Sequence, residues 1–214
     1  MQDVEASTLS DVEFFGGLDK KSRRLIEGKC RWRRYAAGQQ ILDRGSTSRD
    51  VYIIVQGAVR VINYASSGRE ITFDTVGEGG FFGELAAIDG LPRSASVSAA
   101  EDTLLTCLPA KAFLEYLRTD GDFAVQVLRR VVRIVRACDE RIMDLSTLGA
   151  VQRVYMELLR KAVPDAAVPG LWVVRPLPPM REIASRISTS RETVARAVSQ
   201  LRQTSLVRRK GKNL

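Results

Sequence analysis

Between residues 30 and 108 the apolar positions come in short β-branched runs broken by glycine. Residues 50–63, DVYIIVQGAVRVIN, hold two such runs on either side of Gly57, and SSGRE at 66–70 reads as a hairpin loop between two more. Glycines recur at positions 38, 45, 57, 68, 77, 79 and 83. Many short strands with this punctuation predict a small all-β barrel or roll.

From residue 120 to 145 the period changes. Ala124, Leu128, Val131, Val135, Cys138, Ile142 and Leu145 are spaced 4, 3, 4, 3, 4, 3, a heptad seam. Arg129, Arg130, Arg133, Arg136 and Arg141 lie off it. A long helix packed only on its own domain is one reading. The narrow seam and charged flanks favour the other, a two-chain coiled coil with Cys138 as a small apolar seam residue.

After residue 148 the chain reads as a helix (GAVQRVYMELLRKAV), a proline-rich strand or loop stretch (VPGLWVVRPLPP), and two short helices. Pro178 and Pro179 precede the first short helix, a favoured place for proline. Ile183, Ala184 and Ile187 form its inner face. STS at 188–190 is the turn and supplies hydroxyls for an N-cap, with Thr189 and Glu192 matching a T-x-x-E capping box. In the second helix Val194, Val198 and Leu201 face inward, while Arg191, Glu192 and Arg196 project from the other side. That is the layout of a helix-turn-helix, whose second helix enters the DNA major groove amino end first. Arginine can fork onto guanine and glutamate can accept from cytosine. Ser190 and Thr193 suit phosphate contacts. VRRKGK at 207–212 has the look of a basic wing.

Charge sharpens this division. Residues 151–214 carry 13 Lys/Arg against 4 Asp/Glu, whereas residues 1–150 carry 20 against 21. A near-neutral body with a basic tail points to a polyanion partner for the tail, most often nucleic acid, with a basic solvated surface as the other reading; the helix-turn-helix layout makes that partner double-stranded DNA. Histidine is absent, which excludes imidazole zinc sites, histidine-ligated haem and histidine-based triads. The three cysteines, 30, 107 and 138, form neither a disulfide framework nor a four-cysteine iron–sulfur set. No metal, no haem and no catalytic role is expected. The acidic start is no secretory signal and no run of 18 apolar residues exists, so no membrane partner and a cytoplasmic location are expected.

One stretch remains unaccounted for. FGELAAIDGLPRSAS, residues 82–96, sets Glu84 nine residues before Arg93 among small and apolar neighbours. An ion pair beneath a loop would explain it. So would a ligand site.

At this point three stretches carry a resemblance. SRETVARAVSQL resembles the recognition helix of the cyclic-AMP receptor and fumarate–nitrate regulator (Crp/Fnr) family of bacterial transcription factors. GQQILDRGSTSRDVYIIVQGAVRV resembles that family's β-roll, and FGELAAIDGLPRSASV its phosphate-binding cassette. The resemblance implies an α+β chain: a cyclic-nucleotide-binding β-roll (1–119), a dimerisation helix (120–146) and a winged helix-turn-helix (147–214). It implies cAMP or cGMP as allosteric effector, with Arg93 on the cyclic phosphate and Glu84 on the ribose hydroxyl. Gly83 would allow close approach, and backbone N–H groups around Leu85, Ala86, Ser94 and Ala95 would add donors. Matching the long helix puts Cys138 and Asp139 at the base-binding end. A carboxylate there favours the N1–H and amine of guanine, whereas the family's usual ligand is cAMP, so both remain open. The remaining implications are a homodimer through residues 124–145, a two-fold symmetric operator with TGTGA-like half-sites, RNA polymerase as a further partner, and a pivot near 145–149. A regulator of the same family that is constitutive, or answers to another small molecule, is the alternative.

Overall fold

Strands buried on both faces need not alternate apolar with polar, and the runs VYIIV and TLLTCL show where the first core lies. In the computed structural model, which describes residues 28–211, 213 and 214, the chain divides at Arg133/Ile134 into two units. The acidic amino-terminal stretch and Lys212 of the basic wing fall outside the described residues.

The first unit contains β1 (Arg31–Tyr35), β2 (Gln40–Leu42), β3 (Val51–Gln56), β4 (Ala58–Tyr64), β5 (Glu70–Gly77), β6 (Phe81–Phe82), α1 (Glu84–Asp89), β7 (Ser96–Ala99), β8 (Thr103–Leu108) and α2 (Ala110–Thr119). Two four-stranded antiparallel sheets result, ordered β1-β8-β3-β6 and β2-β7-β4-β5. Between them lie Tyr52, Ile54, Phe82 and Leu105 from one sheet and Leu42, Val59, Val76 and Val97 from the other. The first sheet's outer face, Val51, Ile53, Phe81 and Leu108, is covered by Ala112, Phe113 and Tyr116 of α2 and by Phe123 and Val127 of the next helix. That double burial explains the unbroken apolar runs. The hairpin expected at 66–70 joins β4 to β5, with Tyr64 opposite Glu70. Gly57 has φ 86°, and a Cβ there would stand 2.6 Å from the Asp102 carbonyl, so only glycine fits between β3 and β4.

Helix α3 (Gly121–Thr147) is continuous. Its buried residues are Phe123 and Val127. Val125, Leu128, Val132, Val135 and Ile142 are exposed, each by more than 40%. The seam read off the sequence is largely open: Leu128, Val135, Cys138, Ile142 and Leu145 are exposed, Ala124 and Val131 are half-buried on the side of Phe123 and Val127, and Val125 and Val132 widen the open row. Asp139, also exposed, falls in this row, four residues after Val135 and three before Ile142.

The second unit comprises the carboxyl half of α3, α4 (Ala150–Lys161), β9 (Val163–Pro164), β10 (Trp172–Val173), α5 (Met180–Arg186) and α6 (Arg191–Gln203). Val154, Leu158, Ile183, Ala184, Ile187, Val194, Ala197 and Val198 form its core. The chain end returns as an edge: Val174 and Leu214 exchange backbone hydrogen bonds of 2.9 and 3.2 Å, and Lys210 pairs with Asn213 around Gly211. Among the described residues no helix is long and apolar enough to cross a membrane.

Candidate functional site

The stretch 83–95 folds back on itself so that two of its three charged side chains, Glu84 and Arg93, enter the first unit, while Asp89 stays exposed. Gly83 takes φ 87° between β6 and α1, and α1 begins at Glu84 with no side-chain cap on its N-terminus. Burial is nearly complete for both charges, with 3% of Glu84 and 4% of Arg93 exposed.

Arg93 is anchored by backbone and hydroxyl oxygens. Its Nε donates to Ser48 Oγ (3.1 Å), Nη1 to the Gly83 carbonyl (2.8 Å) and Nη2 to the Asp50 carbonyl (2.6 Å). Its guanidinium carbon lies 6.0 Å from the Tyr52 ring centroid, and that ring stacks on Phe82 at 5.2 Å. Main-chain bonds to Ser46 and Gly45 fix Arg93 from behind. A guanidinium has about five N–H donors. After these three bonds each terminal nitrogen keeps one. Burial lowers the Arg93 pKa, opposed first by Tyr52 and Asp50. The group stays charged, because arginine's ordinary value is so high.

Glu84 does not pair with Arg93. Neither takes part in an ion pair among the described residues. Burial raises the Glu84 carboxyl above the usual carboxylate range, opposed by its own backbone amide and then by the charges of Arg130 and Arg93. The ion-pair explanation of this stretch is thus replaced by two separately buried charges. Gly83 is needed for space as well as for φ: a Cβ there would stand 2.6 Å from Arg93 Nη1 and 3.0 Å from the Asp50 carbonyl. Leu85 and Ser94 are exposed, Ala86 is buried and Ala95 is half-buried. Asn63 Nδ2 donates to the Ser94 carbonyl at 3.3 Å.

Ser48, Asp50, Tyr52 and Asn63 were not identified from sequence. They come from strands and loops 31 to 45 residues away, and no local pattern marks them. Cys138 and Asp139 are exposed on the part of α3 that belongs to the second unit, whereas residues 83–95 belong to the first.

In the second unit the cap differs from the expected one. Thr189 is buried and its N–H bonds the Ala184 carbonyl, while Ser190 is the N-cap, accepting from the Thr193 N–H at 3.1 Å. The capping box read at Thr189 and Glu192 is therefore one residue off, because the turn is longer by one residue than the box assumes. Arg191, Glu192 and Arg196 are exposed, Glu192 and Arg196 on the side of α6 away from buried Val194 and Val198 and Arg191 at its first residue. The turn itself is held by two arginines. Arg141 of α3 donates from Nη2 to Ser188 Oγ (3.0 Å), and Ser188 has φ 56°. Arg153 of α4 donates from Nε to the Ile187 carbonyl (3.1 Å) and from Nη1 to the Leu148 carbonyl (2.7 Å). Among the described residues no group of three or more Cys, Asp or Glu could hold a metal.

Comparison with known proteins follows the same division. Residues 32–120 match the family model for a cyclic nucleotide-binding domain, and residues 152–214 that for a Crp-like helix-turn-helix domain. The chain is 31% identical over 194 residues to the cyclic AMP receptor protein of Thermus thermophilus, covering 91% of this chain and 87% of that one. Among solved structures, a CooA mutant from Carboxydothermus hydrogenoformans superposes with a TM-score of 0.79 at 16% identity, over 99% of this chain and 92% of that one. The c-di-GMP responsive global regulator CLP of Xanthomonas campestris gives 0.73 at 19% identity, over 91% and 97%. At those identities the two structures speak for the fold.

The buried carboxyl has a measurable consequence. Because its value in the folded protein is raised, the folded state binds the proton more tightly than the unfolded chain. This contribution is complete below the ordinary carboxylate range and is lost as pH rises through the raised value. Glu84→Gln cannot ionise. Without added nucleotide it should gain on the order of 1 kcal/mol, about 2–4 °C in Tm, near pH 8 and nothing near pH 4. Thermal melts that stay parallel across that range would show that ionised Glu84 is not penalised.

Proposed function

The chain belongs to the Crp/Fnr family of DNA-binding transcription regulators, which are not enzymes, and from that premise we propose that it is a homodimer whose DNA binding is gated by a cyclic mononucleotide, cAMP or cGMP. The observation that carries the reading is the buried Arg93. It is fixed by three oxygens yet retains one N–H on each terminal nitrogen, beside the uncapped start of α1. A fork of two N–H groups suits the two free oxygens of a cyclic phosphodiester. Glu84 would accept from the ribose 2′-OH, with backbone donors around Leu85, Ala86, Ser94 and Ala95. A ligand hydroxyl would also compensate a carboxylate that burial disfavours.

Dimerisation through residues 124–145 is supported by the open apolar row of α3. A solvated helix seldom carries Val125, Leu128, Val132, Val135 and Ile142 on one side without a partner. Asp139 interrupts that row with a charge. At the base-binding end, beside Cys138, its carboxylate would accept from guanine N1–H and N2–H₂, and Ser94 could reach a guanine amine. This chemistry favours cGMP, while the relative from Thermus thermophilus is a cyclic AMP receptor protein.

On DNA, α6 would lie in the major groove. Arg191, Glu192 and Arg196 would read bases, and Ser190 and Thr193 would touch phosphate. Two such helices would face a two-fold symmetric operator. RNA polymerase is the further partner that family membership supports. Gating requires the effector to bind the DNA-competent state better than the other. A shift from 1:99 to 99:1 needs about 5.5 kcal/mol, shared between two pockets. A second reading, an effector of another class, is kept because CLP is described as c-di-GMP responsive.

Calorimetric titration of cAMP, cGMP and c-di-GMP, with and without operator DNA, tests the reading directly. Arg93→Ala should lose about 2–5 kcal/mol of affinity for the cyclic nucleotide while remaining a folded dimer. Unchanged affinity would remove Arg93 from the pocket. Arg191→Ala should relax preference at one guanine per half-site by about 1–3 kcal/mol; a uniform loss over all sequences would make it a phosphate contact. Val135→Glu should convert dimer to monomer in sedimentation analysis, and a dimer of wild-type strength would refute the α3 interface.

A further inference from the structure

The arginines of α3 have no role in the reading above. Between Asp122 and Asp139 the helix carries four of them, Arg129, Arg130, Arg133 and Arg136, and no acidic residue. A parallel copy of the same helix would bring more arginine to this level and no carboxylate. The charge must be met elsewhere.

Three of the four line a groove of about 530 Å³ in the first unit. Its opposite wall is the end of β5 and the following turn, including Gly77, Glu78 and Gly80. Neither Glu84 nor Arg93 lines it. Arg130 is partly engaged: Nη2 donates to Asp74 Oδ2 at 2.8 Å, while its Nε is buried without a hydrogen-bond partner. Arg129 and Arg133 are exposed and form no ion pair among the described residues. They stand one helical turn apart, about 6 Å along the axis. Like charges at that spacing repel by about 0.2–0.5 kcal/mol in an isolated helix. The pair is tolerated here with only a 3.4 Å bond from Arg133 Nε to the Arg129 carbonyl between them.

We propose that this groove is a second anion site, separate from Arg93, that takes the polyphosphate chain of a nucleoside di- or triphosphate. Two uncompensated guanidiniums a turn apart match successive phosphoryl groups, each able to accept a forked pair of N–H bonds. A cyclic mononucleotide has a single negative charge, which one arginine satisfies. The groove volume is within the range of small-molecule sites, about 300–1,000 Å³. Glu78, on the facing turn, supplies a carboxylate for ribose hydroxyls, the interaction that would separate a nucleotide from inorganic polyphosphate. The exposed Arg129 and Arg133 would be the principal ligands, with Arg130 held in place by Asp74.

The test is isothermal titration of the full-length protein with ATP, GTP and inorganic triphosphate at about 0.15 M salt, an ionic strength at which exposed charges are well screened. The expected result is one nucleoside triphosphate per chain, not displaced by saturating cAMP or cGMP. The double variant Arg129→Gln/Arg133→Gln should weaken it at least tenfold; Arg93→Ala and Arg191→Ala should leave it within twofold. Circular dichroism monitors folding, and Arg133→Lys, which keeps the charge but loses the fork, should bind more weakly than wild type and more tightly than the double variant. No binding of either nucleotide overturns the proposal. So does binding that Arg93→Ala abolishes, or that operator DNA displaces. Inorganic triphosphate bound as tightly as ATP would overturn the nucleoside assignment. Failure of every cyclic nucleotide to bind leaves this outcome unaffected, since Arg93 is no part of the groove.

Discussion

A guanidinium taken out of water must have its N–H groups met, and the amino-terminal unit is arranged around one that is. Arg93 reaches across to carbonyls of Asp50 and Gly83 and to the hydroxyl of Ser48, with the Tyr52 ring alongside. Those partners belong to the loop between β2 and β3 (Ser48 and Asp50), to β3 (Tyr52) and to the turn before α1 (Gly83). One side chain thereby ties three separate parts of the unit to the stretch that carries it. Gly83 is the condition for this, since any side chain there would occupy the space of Arg93 Nη1. Positive charge in the interior then sets the value of everything near it. It lowers the cost of ionising Glu84 and fixes where an anionic ligand would be held.

The carboxyl-terminal unit shows the same device used for mechanics. Arg141 on α3 and Arg153 on α4 both end on the turn between α5 and α6, at Ser188 and Ile187. Arg153 also binds the Leu148 carbonyl, inside the segment 145–149 where a pivot was expected. Asp144 and Arg160 add a two-pronged ion pair between α3 and α4. Within this unit, the last turns of α3 and the recognition turn are therefore fastened to each other by charged hydrogen bonds. A displacement of those turns of α3 would carry the turn with it, and Ser190, which caps α6, is two residues from Ser188.

Charge on α3 serves three purposes at two heights. Over residues 129–133 Arg130 meets Asp74 on β5, while Arg129 and Arg133 on either side of it form no ion pair among the described residues, beside a groove that all three line. Toward its end Arg141 is drawn half into the protein, where burial lowers its pKa. The apolar row of the same helix runs between these, so a single element carries packing, an open face and fixed charge without any of them sharing a residue.

Much of this was legible in the chain. The order of roll, long helix and helix-turn-helix follows from the spacing of apolar residues, because each residue's propensity and its neighbours' period are local properties. So do the turns at Gly57 and Gly83, where backbone sterics leave one residue type. That Glu84 and Arg93 are buried could be suspected from their apolar surroundings. What they touch could not. Whether they pair with each other or with groups 43 residues away depends on which strands lie side by side, and only the folded sheets decided it. The row of α3 left open was likewise settled by the tertiary fold. Heptad spacing marks one seam, and with Phe123 and Val127 buried against the roll its Ala124 and Val131 are half-buried while Val125 and Val132 stay open beside the rest. The one-residue shift of the cap from Thr189 to Ser190 has the same origin, since core packing buries Thr189 and leaves the next hydroxyl to the helix.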